Sequence, residues 1–411
     1  MIFNKTSSAT RIEKLILLIL LLTPIFSFQE SLALLIEERR GLVNTSNILT
    51  SVYIKGLKDL FFILIISSSL LMIIKTLSIK RATAVFLGFI LVFILLPAYY
   101  YHSDFLIYLS GIRWMMPFIL AAFLLSHIDR ELIIKLGTIM FYLFIFHFIV
   151  QITQLFFSYG HFGLNTFGLS SRNPGIFYIP STAAVFSILV LFFSKYYMRE
   201  ELERKIYYLI PISILLTASG TGIGIYIIFI TIYYLKKNLL PFLPIFLIFL
   251  GIILLLSLDN LSGRSGLVED SLGVRVKIFI DVLLNATYLP QHFGYGTATG
   301  LLIVNKFDLN IPMISTDSWY ASSIVNLGLI NSFLILLTLL ILFVVLTMSK
   351  DKEKLLFLII FSLIAITTSI TESYPANLIL SVFLAYYIKP KNIDYESFTN
   401  TQLESTTNLK G

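Results

Sequence analysis

Stretch after stretch of about twenty apolar residues, divided by short polar connections, leaves this chain few folds to choose from. Runs of that length and evenness predict membrane-crossing helices, since barrel strands would alternate apolar and polar residues instead. Of the 411 residues, 57% are hydrophobic and only 13% charged, with a mean hydropathy of +0.89. A soluble chain of this length carries far more charge on its surface. The first run follows Lys5, Arg11 and Lys14 and has no small-x-small cleavage site before Glu37, so it reads as an uncleaved first span. Further spans are expected at 60–79, 82–101, 105–126, 132–157, 176–195, 206–219, 222–235, 239–257, 321–348, 355–371 and 376–388. The fold class is therefore an all-α polytopic membrane protein of about 12 transmembrane helices. Residues 1–257 hold the first nine spans, 258–320 a large outer loop, 321–390 the last three spans, and 391–411 a polar, disordered tail.

Lys and Arg orient the bundle. With the N-terminus inside, 20 of these residues fall on inner segments and 9 on outer ones, while Arg113 lies within a span. That bias puts both termini in the cytoplasm and the 258–320 loop outside. It also accounts for the formal net charge of +7 without nucleic acid. The absence of cysteine excludes disulfides and thiolate chemistry, and the five histidines have no metal-ligand spacing. No phosphate-binding, metalloprotease, nucleophile-elbow or dinucleotide motif occurs in a suitable setting. No cofactor is expected.

Chemistry must then come from polar residues at the outer face. Arg113, in FLIYLSGIRWMMPFIL, is placed roughly 12 Å below the outer end of its span at about 1.5 Å per residue. An arginine at that depth either serves a substrate, or snorkels outward or pairs with a carbonyl for packing. Arg172 precedes Pro174 and Gly175 just before the span starting near Ile176, an arrangement suited to a phosphate. The glycine there would let backbone approach a ligand, whereas the plainer reading of Arg172 is an anchor at headgroup level.

Within the loop, 270–286 has helical periodicity. Lys277, Asp281 and Asn285 share a wet face, and Leu272, Arg275, Phe279, Val282 and Ala286 the opposite one. Arg275 is the one charge in the apolar stripe and calls for an anionic partner, a lipid diphosphate or an ordinary headgroup. GYGTATG at 294–300 is expected to be a flexible turn. At the mouth of the next span stands Asp317-Ser318-Trp319-Tyr320. Its carboxylate suits either deprotonation of an acceptor hydroxyl or helix capping, and its aromatics suit a sugar face.

Taken together, these residues resemble the superfamily of bacterial O-antigen polymerases (Wzy) and O-antigen ligases. The resemblance spans roughly 105–345 and rests on the order of Gly111-x-Arg113-x-x-x-Pro117, Arg172-Asn-Pro174, the short helix pair around Ser219–Gly222, the loop with Arg275 and Gly294-Tyr-Gly296, and Asp317-Ser318 followed nine residues later by Gly328-Leu-Ile-Asn331. Asp317 stands where ligases carry His, which resembles the polymerases. Where many members have Ser-Arg, this chain has Ser219-Gly220, so the missing arginine would be supplied by Arg113 or Arg264.

The resemblance implies metal-independent glycosyl transfer at the periplasmic face of the inner membrane. A glycan on undecaprenyl diphosphate would be joined to a lipid-linked repeat unit. Asp317 and Arg275 are then the catalytic candidates, and Arg172, Arg113, Arg264, Lys277, Ser318 and Tyr320 the diphosphate- or sugar-binding ones. A chain-length regulator and a flippase of the same pathway are the implied partners. Transfer to lipid A core is the alternative reaction. A polysaccharide-lipid transporter is the alternative of another class, but the 23 acidic residues fall almost entirely in connections or span ends, with Glu30 the nearest exception.

Overall fold

The computed structural model of the chain describes residues 7–27, 52–76, 81–101, 104–125, 127–156, 172–177, 179–242, 278–297, 300–301, 303–304 and 318–388. Most of the expected span at 239–257, most of the 258–320 loop and the 391–411 tail lie outside the described residues. Among the described residues the chain is helical and contains no strand. In order come α1 (Ser7–Leu21), α2 (Val52–Thr76), α3 (Arg81–Phe89), α4 (Leu96–Tyr101), α5 (Phe105–Leu124), α6 (Arg130–Phe156) and α7 (Pro180–Tyr196). Then follow α8 (Glu200–Ile206), α9 (Leu209–Leu216), α10 (Gly220–Tyr234), α11 (Trp319–Ser349), α12 (Lys352–Thr367) and α13 (Ala376–Ile388). Among the described residues five segments are long and apolar enough to cross a membrane: Gly56–Ile74, Thr83–Tyr101, Phe105–Leu124, Arg130–Phe156 and Trp319–Ser349. Three shorter apolar helices are α7, α10 and α13.

Which helices face outward follows from their composition. α7 and α13 are apolar on every side and almost wholly buried, and they pack on each other. α13 also packs along α5, and α7 along α6, α9 and α10. The aromatic centre of this packing is Phe192, Phe193, Phe357 and Phe383, with ring centroids 5.1–6.5 Å apart where they touch. By contrast α2 exposes Leu60, Ile63, Leu71 and Ile74, and the distal half of α11 exposes Phe333, Leu340, Ile341 and Met348. Continuous apolar surface of that kind belongs against hydrocarbon rather than water.

Two helices are broken, and each break is satisfied by a neighbour. Residues 90–95, between α3 and α4, form a π-helical stretch, and Asn331 Nδ2 donates to the Phe93 carbonyl across the gap (3.1 Å). In α11 the backbone leaves helical geometry at Gly328 (φ 74°, ψ 169°). A Cβ there would lie 2.6 Å from the Leu289 carbonyl, so only glycine fits. Beyond the break, Leu329 N–H donates to Thr287 O (2.8 Å) and Ile330 N–H to Tyr288 O (3.3 Å). Non-helical backbone survives at membrane depth only when buried in protein in this way.

The segment that enters the break belongs to the large loop, and hydrogen bonds to α5 and α11 hold its glycines. Phe293 is fully buried on α5, against Tyr108 and directly over Gly111. Gly294, at φ +91°, donates its N–H to Asn326 Oδ1 (2.6 Å) and accepts from Ser110 Oγ (3.0 Å). Ser322 Oγ donates to Gly296 O (2.9 Å). These bonds pin the glycines between α5 and α11, which is why the flexibility expected from composition is absent. The preceding helical turns, 278–284, bury Val282 against Ala321, Ile324 and Val325, with Ala286 packed beside it, as the helical wheel predicts. Phe279 departs from that wheel and is exposed, because the line 278–282–286 faces α11 and leaves Phe279 on the rim.

Candidate functional site

Arg113 sits at the middle of α5. Its Nε donates to Asp59 Oδ2 of α2 at 2.7 Å, with both side chains about three-quarters buried. The pair lines a shallow recess, partly open to solvent. Its polar wall is Lys58, Asp59, Arg113, Thr371, Glu372 and Asn377, and its apolar wall Phe62, Met116 and Pro117. Three elements converge because α5 packs on both α2 and α13.

The turn between α12 and α13 is fixed by its own bonds. Ser369 Oγ donates to Glu372 Oε2 (3.2 Å), Asn377 Nδ2 donates to Thr371 O (3.3 Å), and the Tyr374 hydroxyl bonds Ile19 O of α1. Lys58, Asp59, Thr371, Glu372 and Asn377 were all passed over as site residues. The readable signal was the polar island Thr-Glu-Ser between two apolar runs, followed by an asparagine inside the second.

The beginning of α11 lies against the same helix. Trp319 stacks on Trp114, the neighbour of Arg113, with centroids 6.1 Å apart and planes 11° from parallel, and Phe118 packs beside them. Ser318 is the N-cap residue of α11 but makes no side-chain capping bond; its Oγ donates to Ala365 O of α12 (3.2 Å). The Tyr320 hydroxyl is hydrogen-bonded to Ser362. Thus Ser318, Tyr320 and Arg113 belong to one region, linked through the tryptophan stack. Asp317, Arg264, Arg275 and Lys277 lie outside the described residues.

Arg172 occupies a different neighbourhood. The segment it opens, Arg172-Asn-Pro-Gly-Ile-Phe, threads between α6 and α9, with 173–177 buried. Asn173 N–H donates to Leu216 O at the end of α9 (2.9 Å). Gln151 of α6 donates to both Asn173 O (2.9 Å) and Ser213 O (3.1 Å) and accepts from Ser213 Oγ (2.6 Å). One turn later, Gln154 binds Gly175 at both its N–H (2.8 Å) and its carbonyl (3.0 Å). The close approach at Gly175 is therefore to the protein itself: a Cβ there would strike the His147 ring at 2.4 Å. Burial lowers the pKa of Arg172 from the usual arginine value, the mark of a guanidinium partly stripped of water. It remains a cation at every working pH. The bond from Asn173 also sets this segment beside the corner 217–219, where Ala218 is left-handed (φ 47°) and Ser219 Oγ accepts from Gly222 N–H to start α10. That corner is the tight re-entry expected between the two short helices.

Replacing Gln151 by leucine would strand the Asn173 carbonyl in a dry interior and strip a second bond from Ser213 O, which keeps only Thr217 N–H. The expected cost is about 3 kcal/mol, since unsatisfied buried groups each forfeit roughly 1–3 kcal/mol. It is read as a lowered melting temperature of the purified protein in detergent, with Thr153→Val, on the exposed face of the same helix, as the near-neutral control. No metal-binding group of His, Asp and Glu occurs among the described residues. No family model, curated protein or solved structure matches the chain.

Proposed function

We propose that the chain polymerises undecaprenyl-diphosphate-linked oligosaccharide repeat units into O-antigen or a related surface polysaccharide, at the periplasmic face of a bacterial inner membrane that it crosses about twelve times. Both termini are cytoplasmic in this reading, following the Lys and Arg bias. The motif order supplies the reaction class. The structural observation that supports it best is the Trp114–Trp319 stack, which ties the helix carrying Arg113 to the residues that directly follow Asp317 in the chain.

The chemistry is one substitution. An acceptor hydroxyl oxygen attacks the anomeric carbon of the donor glycan, and the carbon–oxygen bond to the diphosphate breaks. Asp317 takes the hydroxyl proton, while Arg172 and Arg275, the latter with Arg264 and Lys277 near it in sequence, balance the charge on departing undecaprenyl diphosphate. Arg275→Ala is expected to lower long-chain polymer about 10²–10³-fold, the usual loss when one charge-stabilising donor is removed. Polymer length in cells on a silver-stained gel measures it, and undiminished long chains would remove Arg275 from the site.

A transporter of lipid-linked glycans is the second reading. The break of α11 at Gly328 and the corner at 217–219 favour it, since discontinuous helices frequent transporter binding sites. The two readings part on whether purified protein changes the glycan covalently.

A further inference from the structure

As a straight rod the 31 residues of α11 would measure roughly 46 Å, against a hydrocarbon core of about 30 Å. The limb below the break, 329–349, measures about 31 Å by itself and is the part with an exposed apolar face. The outer limb, Trp319–Leu327, is surplus to a crossing, and it buries Ser322, Ser323 and Asn326. Where that limb runs follows from its partners. α11 and α12 pack on each other and are joined through Lys350 and Asp351. From that junction Ala365 lies about 20 Å along α12, whereas Ser318 would lie about 48 Å along a straight α11. Yet Ser318 Oγ donates to Ala365 O at 3.2 Å, and the Tyr320 hydroxyl bonds Ser362, nearer still to the junction. Packing on α5 agrees. Asn326 meets α5 through Gly294 at Ser110, while Trp319 packs on Trp114 and Phe118, four and eight residues further along that helix. The chain therefore folds back at Gly328, and the start of α11 lies roughly 10 Å below the break.

We propose that the outer limb of α11 is a re-entrant helix, and that its lower end and the α12–α13 turn floor a water-filled depression in the outer face of the bundle. Ser318, Ser369, Glu372 and Ser373 are each partly exposed on that floor. Asp59 and Arg113, the neighbour of Trp114, are partly exposed beside Glu372. Polar groups left uncovered at this depth face water, because hydroxyls and charges are costly against hydrocarbon. Backbone broken at membrane depth, as at Gly328, is likewise found where it is buried in protein or lines a watery cavity. The depression lets the hydrated glycan end of a lipid-linked repeat descend to a level from which surrounding lipid would exclude it. That substrate class rests on the reading of the chain as acting on lipid-linked glycans, whereas the re-entrant course does not.

The chain contains no cysteine, so an introduced thiol reports on its own position. Ser318→Cys and Ser373→Cys, each a one-atom exchange, place thiols on the floor, and Leu340→Cys places one on the exposed apolar face of the lower limb. Spheroplasts carrying each full-length variant are treated with a membrane-impermeant, charged methanethiosulfonate, and the modified fraction is read by mass spectrometry. Both floor thiols are expected to react from outside at least about tenfold faster than that of Leu340→Cys, because the reactive species is the hydrated thiolate. The double variant Ser318→Cys/Ala365→Cys is expected to form a disulfide on mild oxidation, whereas a straight α11 would hold the two positions more than about 25 Å apart. Floor thiols as silent as that of Leu340→Cys, or reactive only after permeabilisation, overturn the outer depression. A double variant that keeps both thiols free overturns the re-entrant helix. Failure of the polymerase reading looks different: labelling and disulfide stand, but lipid-linked repeats are not lengthened.

Discussion

A chain carrying Gly294→Ala is expected to lose about 2–5 kcal/mol of stability and, with it, most of its accumulation in the membrane. Two effects add. The residue sits at φ +91°, where a side chain costs roughly 1–2 kcal/mol, and its new Cβ would lie 2.0 Å from the Ile107 carbonyl oxygen. Relief of that overlap must move either α5 or the loop end, and displacement of this order in a packed interior costs about 1–3 kcal/mol more. Moving the loop would break the bonds from Gly294 N–H to Asn326 and from Ser110 to Gly294 O, and would withdraw Phe293 from its place over Gly111. Gly224→Ala is the matched control: it lies within α10 with open space at its Cβ, and alanine there should be neutral or stabilise by about 1 kcal/mol. Membrane yield and melting temperature in detergent measure both. Equal behaviour of the two variants would mean that the loop end is not held as described.

Asp317→Asn is expected to reduce glycan polymerisation by about 10²–10⁴-fold while leaving the melting temperature unchanged. Asparagine and aspartate are equivalent as helix caps, so a purely structural role for the carboxylate would survive the exchange. The N-cap position of α11 is in any case taken by Ser318, whose hydroxyl turns to Ala365. Only the loss of a proton acceptor separates the two side chains. Full-length polymer made by Asp317→Asn would therefore withdraw the catalytic assignment without touching the fold.

Much of the architecture could be read from apolar length alone. The expected spans at 82–101, 105–126, 132–157 and 321–348 correspond to helices that are long and apolar enough to cross a membrane, with ends shifted by a few residues. The short pair flanking Ser219 was legible because Ser-Gly-Thr-Gly cannot sustain a helix through its first turn without a cap. What escaped was everything decided by tertiary contact. Composition marks GYGTATG as mobile, but Asn326, Ser110 and Ser322 arrive from elements 26 to 184 residues away to hold it. Gly175 promised a close approach, yet no local pattern says that the approaching group is His147. Glu372 and Asp59 read as span-end charges, and only the packing of α5 on α2 and α13 sets them in one recess with Arg113. Arginines in apolar surroundings stand out in a sequence of this kind. The carboxylates of the recess do not, because acids near span ends are ordinary.

The central claim is covalent chemistry on a lipid-linked glycan at the outer face of the bundle. It is tested most directly by purifying the chain, reconstituting it into liposomes without any ion gradient, and supplying undecaprenyl-diphosphate-linked repeat units from the native host. The account predicts a ladder of lipid-linked oligomers that grows with time, needs no added metal, and releases undecaprenyl diphosphate at each step. Repeat units that cross the bilayer yet remain single would contradict it and leave transport as the function.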